Sequence, residues 1–229
     1  MGQRVSNTGS KLIQIVVLVK RFRNYLSSLD FSIKTSVNMH ENLCSIIFSE
    51  NKFVIVGGFN QGSLSSVEVL NEYQHLSCNI PSYPVALYGH SSTITTSGIL
   101  VCGGLFANKK CYEYRSSSNS WISMPPMNID RSYFDMLHLK QKVWAVGGSG
   151  GRGSAKSSME IYEPNSMTWT KQSIPFNVSH HCIAQLSANQ FILIGGRVSK
   201  NVMTKNMSIQ QFDFFTFHYA IYFFTKCPF

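Results

Sequence analysis

The stretch "VWAVGGSGGRGS", residues 143–154, runs a strand-like apolar segment straight into five glycines within seven residues. Gly148, Gly150 and Gly153 fit G-x-G-x-x-G, the spacing with which a backbone loop cradles a dinucleotide's pyrophosphate. That fingerprint needs strand, glycine loop and helix in order. The next residues, "SAKSSMEIYEP", return to a strand-like pattern within a few positions and show no helical period. The glycines therefore need a reason other than a cofactor.

The same punctuation recurs along the chain. Glycine pairs close apolar runs in "FVIVGG" (Gly57, Gly58), "ILVCGG" (Gly103, Gly104), "VWAVGG" (Gly147, Gly148) and "FILIGG" (Gly195, Gly196), with first glycines 46, 44 and 48 residues apart. Looking 26 residues before each first glycine gives Phe31, Ser77, Trp121 and Trp169. Tyr114 and Tyr162 stand seven residues before the two tryptophans, and Phe212 and Tyr219, again seven apart, extend the rule past the last pair. The leg from the aromatic position to the next glycine pair is constant, whereas the leg after the pair varies from 18 to 24 residues. Constant length marks committed structure and variable length marks a loop. Each unit reads as two apolar strands, Gly-Gly, a loop, and a hairpin carrying Tyr and Trp, with "RSSSN" and "EPNSM" as turns. Four short antiparallel strands per unit of this length describe a propeller blade.

Composition agrees with an all-β chain. The 229 residues are 44% hydrophobic and only 14% charged, which is globular rather than disordered. Of the formal charge of +9, a large part sits in a basic leader bearing Arg4, Lys11, Lys20, Arg21, Arg23 and Lys34. No basic groove with interleaved aromatics and no zinc spacing accompanies it, so nucleic acid is not an expected partner. The apolar run Leu12–Val19 is far shorter than the roughly 20 residues a membrane span needs, and the basic residues after it do not suit a signal peptide. The opening M-G-Q-R-V-S fits a myristoylation pattern with Gly2 as acceptor.

Apolar strand, Gly-Gly, Tyr, and Trp about seven residues on: this arrangement resembles the kelch repeat. The third unit, "MPPMNIDRSYFDMLHLKQKVWAVGG" followed by "SSMEIYEPNSMTW", matches best. The resemblance implies an all-β, kelch-type propeller over residues 24–222, incomplete at about four blades, with a leader at 1–23 and a tail at 223–229 left unassigned. Gly89-His90 looks like the opening of a WD-type propeller unit, but no Trp-Asp pair comes after it. By the resemblance, the chain is a non-catalytic protein-interaction module like the substrate-recognition propeller of adaptors for cullin-type ubiquitin ligases, or like kelch proteins that bind actin. It is expected in the cytoplasm, as a fragment or partial copy that further sequence or another chain completes. The alternatives are a secreted or cell-surface kelch protein with disulfides and, further off, a galactose oxidase-like copper enzyme, whose ligand set is not traceable in these residues.

The residues carrying chemistry are few. No nucleophile has an adjacent base, no H-E-x-x-H occurs, and His180 and His181, adjacent on a strand, point to opposite faces. Neither cofactor nor metal is expected. Cys44 and Cys182 hold the slot, 13 residues before a first glycine, that His90 and Phe134 hold elsewhere, and read as buried small hydrophobes. Cys102 and Cys111 flank "GGLFANKK", where a cross-strand disulfide is possible; Cys78 is another partner for Cys111. The sequons at Asn177 and Asn206 matter only in a secreted chain. In kelch-like propellers the loop after Gly-Gly and the link into the next inner strand share one face, which commonly holds a partner. Carried onto this sequence, that face holds Arg131, placed to clamp an acidic side chain or to tie its own blade together. Beside it are Ser132 and Tyr133, then Tyr88 and His180 in the slot of Ser132, and loop residues Asn60, Asn108, Arg152 and Arg197.

Overall fold

A computed structural model describes residues 46–49, 52–71, 75–76, 79–150, 153–199, 202–203, 208–213 and 219–223. Gly2, Phe31, Cys44, Ser77, Cys78, Arg152 and Asn206 lie outside them. Among the described residues every regular element is a β-strand, and the strands form four antiparallel blades. Blade 1 holds β1 (Ile46–Ser49), β2 (Lys52–Phe59), β3 (Ser63–Asn71) and β4 (His75–Leu76). Blade 2 holds β5 (Ser91–Ile94), β6 (Ile99–Cys102), β7 (Cys111–Arg115) and β8 (Ser120–Met124). Blade 3 holds β9 (Asp135–Leu139), β10 (Lys142–Val146), β11 (Lys156–Glu163) and the first part of β12 (Thr168–Ser187). The rest of β12 opens blade 4, with β13 (Gln190–Ser199), β14 (Val202–Met203), β15 (Ser208–Asp213) and β16 (Tyr219–Phe223). The crossover expected as a link between separate strands is thus continuous strand. The first strands of successive blades stand side by side about a common axis, and the blades make an open arc, an incomplete propeller.

Period-two alternation explains why the strands read as unbroken apolar runs: both faces of a blade are covered. In β10, Val143 and Ala145 face blade 2 and pack with Leu100, Cys102, Phe134 and Trp169. Trp144 and Val146, one residue out of phase, face blade 4 and pack with Val178, Phe191 and Leu193. Val56, Tyr83, Leu87 and Val101 make the corresponding layer between blades 1 and 2.

The spacing of seven between Tyr and Trp has a direct cause. Tyr114 lies opposite Trp121, Tyr162 opposite Trp169, and Phe212 opposite Tyr219 in the strand registers. The first two pairs bring their rings to 5.5 and 5.1 Å. Trp121 donates its indole N–H to the Pro81 carbonyl at 2.8 Å, and Trp169 donates to that of Pro125 at 2.9 Å. Each tryptophan therefore fastens the chain entering its own blade. In blade 1 the hairpin is tighter and pairs Leu70 with His75, so counting to Ser77 misses the paired position.

The glycine pairs hold neighbouring blades at backbone distance. Gly103 and Gly147 have φ of 67° and 62°, the left-handed region that favours glycine. A Cβ on Gly103 would stand 2.5 Å from the Arg131 carbonyl oxygen, and one on Gly147 would stand 2.6 Å from that of Val178. The second glycine of the first three pairs then donates its N–H across the blade junction. Gly58 reaches the Leu87 carbonyl at 2.9 Å, Gly104 that of Arg131 at 2.8 Å, and Gly148 that of Val178 at 2.7 Å. Cys102 and Cys111, directly opposite in β6 and β7, form a disulfide with Cα atoms 4.2 Å apart.

Candidate functional site

The junction hydrogen bonds align the blades residue by residue: Leu87, Arg131 and Val178 are equivalent, and so are the positions immediately after them. A one-residue irregularity between Gln185 and Ser187 lengthens the strand in blade 4. His181, opposite Gly195, therefore takes the buried slot of His90 and Phe134. This corrects the expectation for Cys182, which is turned outward and exposed. It also corrects His180, which aligns with Tyr133 and Gly89, while Ser179 aligns with Ser132 and Tyr88.

Arg131, expected at the partner face, is only 1% exposed. Its Nε donates to Glu160 at 3.2 Å, and its other nitrogens donate to the Gly147 and Ser158 carbonyls at 2.6 and 2.8 Å and to the Ser158 hydroxyl at 3.0 Å. Burial works against the guanidinium's charge, and the Glu160 carboxylate supports it. Glu160 in turn accepts the Asn128 and Ile129 backbone N–H groups at 2.6 and 3.2 Å. The slot is apolar in the neighbouring blades, so in blade 3 this buried pair does with charge what Leu87 and Val178 do by packing. Ser132 is also buried, bonded to Ser149 across an isolated bridge. These two residues hold the blade and present nothing to a partner.

Of the remaining expected residues, Tyr88, Tyr133 and His180 are linked by ring contacts, in company the sequence did not single out. Phe59 comes directly after the first glycine pair and Phe106 stands two residues after the second; both are exposed, at 38% and 68%. Their signal was an aromatic residue just behind Gly-Gly. Tyr88 lies between them, with ring centres 5.0 Å from Phe59 and 6.2 Å from Phe106. Tyr133 stands 6.4 Å from Tyr88 and stacks on His180 at 4.2 Å with planes 12° apart. The rings thus form a chain across all four blades. Behind them the Tyr133 N–H donates to the Gly89 carbonyl at 2.6 Å, and the His180 N–H to that of Tyr133 at 2.8 Å. Gly89, Tyr133 and His180 all have positive φ, at 65°, 53° and 55°. Where blade 2 uses glycine, blades 3 and 4 hold bulky rings in a conformation costing roughly 1–3 kcal/mol each. Burial and the nearby Arg197 cation both hold the His180 imidazole below its ordinary pKa.

Asn60 and Asn108 are exposed on this face, Asn108 at φ 57°. Arg197 is half-buried and lies in β13, opposite Ser179, rather than in a loop. Arg152 lies outside the described residues.

Other polar groups are already engaged. A cleft of about 170 Å³ between blades 2 and 3, at the end away from the glycine loops, is lined by Glu113, Arg115, His138 and Tyr162 among others. The Glu113 carboxylate there accepts from Thr95 and Ser97, both at 2.7 Å, and from Arg115 at 3.0 Å. Asp135, on the inner strand, accepts from the Ser91 hydroxyl at 3.0 Å and the Ile183 N–H at 2.8 Å, tying blades 2, 3 and 4; burial nonetheless raises its carboxyl to about 6. His90 and His181 are buried with no hydrogen bond formed at either ring nitrogen. Burial pushes them down to about 4 and about 3, with slight opposition from the Val56 and Val146 carbonyls. No three His, Cys, Asp or Glu side chains among the described residues converge to hold a metal ion.

No protein-family model matches the chain. The chain is similar to the F-box/kelch-repeat protein At1g67480 of Arabidopsis thaliana, at 30% identity over 98 residues, 43% of this chain and 26% of that protein. It is similar to Kelch-like protein 36 of Bos taurus, at 24% over 177 residues, 72% of this chain and 28% of the relative. A shorter match, 41% over 73 residues, links 31% of the chain to 11% of a galactose oxidase of Gibberella zeae. The chain spans about a quarter of the length of the two kelch-named relatives. Among solved structures, that titled "Structure of YjhT" superposes with a TM-score of 0.66 at 11% identity, covering 82% of this chain and 67% of that one.

Proposed function

We propose that this partial kelch-repeat β-propeller is a non-catalytic module whose loop face binds another protein, in the manner of a recognition propeller of a ubiquitin-ligase adaptor. The observation that carries this reading is the chain of exposed and half-buried rings from Phe59 to His180, held on strained backbone at one end of the blades. Exposed aromatics on a rigid scaffold are the usual anchors of protein interfaces. The match to a galactose oxidase covers 31% of the chain and 11% of that protein, and this reading takes it as likeness of the repeat. No helix among the described residues is long and apolar enough to cross a membrane. By likeness to the kelch-like relatives, the proposed role is one for the cytoplasm.

The test compares proximity-labelled neighbours of the wild-type chain with those of Phe106→Ala and of Met167→Ala, an equally superficial change at the opposite end of the blades. Loss of neighbours with Phe106→Ala alone supports the reading. Equal profiles for all three chains overturn it.

A second reading, a secreted or cell-surface kelch protein, is favoured by one observation, the Cys102–Cys111 bridge. Such bridges persist in oxidising compartments. A thiol count on protein isolated from cells under alkylating conditions separates the two: free thiols at both positions favour the cytoplasm, a bridge the secretory route.

A further inference from the structure

The cleft of about 170 Å³ between blades 2 and 3 has a lining of two kinds. Fully buried Leu100 and Val143 form its apolar part, with Met124, Pro164 and Met167 nearer solvent. An apolar cavity of roughly 150 Å³ takes up one benzene ring, so the space suits a monocyclic molecule. Thioethers such as those of Met124 and Met167 make favourable contacts with the edge of an aromatic ring.

The polar part is more selective. Glu113 is 2% exposed; its Oε1 accepts from Thr95 and Ser97, both at 2.7 Å, and its Oε2 from Arg115 Nε at 3.0 Å. A carboxylate oxygen offers two acceptor sites, so Oε2 keeps one. The terminal nitrogens of Arg115, on a side chain 42% exposed, form no hydrogen bond among the described residues. Tyr162 adds an independent observation. It is only 4% exposed, lines the cleft, and lies within electrostatic reach of Glu113 and Arg115. Its hydroxyl nevertheless forms no hydrogen bond among the described residues. Burial, and then the Glu113 carboxylate, raise its pKa, so it stays a donor. A buried donor without a partner is costly, and the cleft is where a partner would come from.

We propose that the cleft binds a small, planar, neutral molecule, a single ring bearing an amide edge. Its carbonyl oxygen would accept from Tyr162 and Arg115, and its N–H would donate to Glu113. Neutrality follows from the pairing of Glu113 with Arg115, since an anion meets the carboxylate and a cation meets the guanidinium. A hydrocarbon ring would leave the Tyr162 hydroxyl without a partner. The proposal is independent of the loop face, which lies at the opposite end of the blades.

The experiment titrates the full chain, isotope-labelled at the methionine methyls, with benzamide and with uracil, and follows it by NMR. The amide lies outside the ring in the first probe and within it in the second, so the tighter binder identifies the source of the edge. For ligands of this size the expected dissociation constant is about 0.1–1 mM. The Met124 and Met167 signals should shift, while that of Met159, in the layer between blades 3 and 4, should not. Benzoate, benzylammonium and toluene should bind at least about tenfold more weakly. Tyr162→Phe removes only the unbonded hydroxyl and keeps the ring against Trp169, so it should melt as the wild type does and weaken binding about three- to tenfold. Met167→Ala, at an exposed wall, should weaken it by about threefold. If neither methyl shifts at about 10 mM of either probe, the site is overturned. Charged or hydrocarbon rings binding as well as the amides, or Tyr162→Phe leaving affinity unchanged, overturns the ligand class.

Discussion

Replacing Arg131 with leucine tests whether this residue belongs to the blade or to the partner face. Leucine is what the equivalent position of blade 2 carries, at Leu87, so the volume is acceptable to the fold. What the change leaves behind is the Glu160 carboxylate, fully buried and stripped of its paired cation. Removing one partner of a buried ion pair costs about 3–5 kcal/mol. For a domain of this size that lowers the melting temperature by about 10 °C. Changing both, Arg131→Leu with Glu160→Gln, removes the stranded charge while the amide oxygen still accepts from Asn128 and Ile129. The double variant should recover to within about 1–2 kcal/mol of wild type, a rescue of about 2–3 kcal/mol relative to the single variant. Urea unfolding followed by the fluorescence of Trp121, Trp144 and Trp169 reads all three free energies. A single variant losing less than about 1 kcal/mol, or a double variant no better than the single, would refute the structural role assigned to Arg131.

Three further outcomes are expected. Gly147→Ala should destabilise by about 2–4 kcal/mol, because the new methyl meets the Val178 carbonyl and must be held at φ 62°; denaturant midpoints measure it, and a neutral result would remove the close junction between blades 3 and 4. The folded-state pKa values of His90 and His181 lie below the unfolded value, so the unfolded chain takes up protons first and stability falls as pH drops from about 6.5 towards 4 and 3. The loss is about 2 kcal/mol for each at pH 5, offset by about 1 kcal/mol as Asp135, raised to about 6, gains its proton; His181→Phe, copying Phe134, should flatten the acid limb of a melting-temperature profile. Finally, in the oxidised chain the Cys102–Cys111 bridge should contribute about 2–3 kcal/mol to the unfolding free energy; urea unfolding with and without reductant, and of Cys102→Ala/Cys111→Ala, measures it.

Much of the blade plan was legible because its causes are local and periodic. Tyr114 and Trp121, or Tyr162 and Trp169, stand seven apart because a hairpin of fixed length puts them opposite each other, and the rule reached Phe212 and Tyr219 without a tryptophan present. The glycine pairs were legible for the same reason. Counting failed where one residue is inserted inside a strand. The irregularity near Ser187 moved His181 into the core and Cys182 out of it, and hairpin shortening moved the paired position in blade 1 to His75. Arg131 was ambiguous because a guanidinium suits a ligand carboxylate and a buried glutamate equally, and only the position of Glu160 decides. Phe59 and Phe106 went unmarked since, along a chain rich in phenylalanine, only the three-dimensional chain of rings distinguishes them.

The continuity of β12 has a mechanical consequence. Its 20 residues pass from the outer edge of blade 3 to the inner edge of blade 4 without a break in strand structure. Repeat arrays commonly shed their units one at a time, since each touches only its neighbours. Here two units share a single piece of backbone, turned only at His180 with its φ of 55°, so tension applied to the chain ends has no loop between them to pay out. In a force-extension trace blades 3 and 4 should rupture together, as one long step where blade-by-blade unravelling would give two short ones.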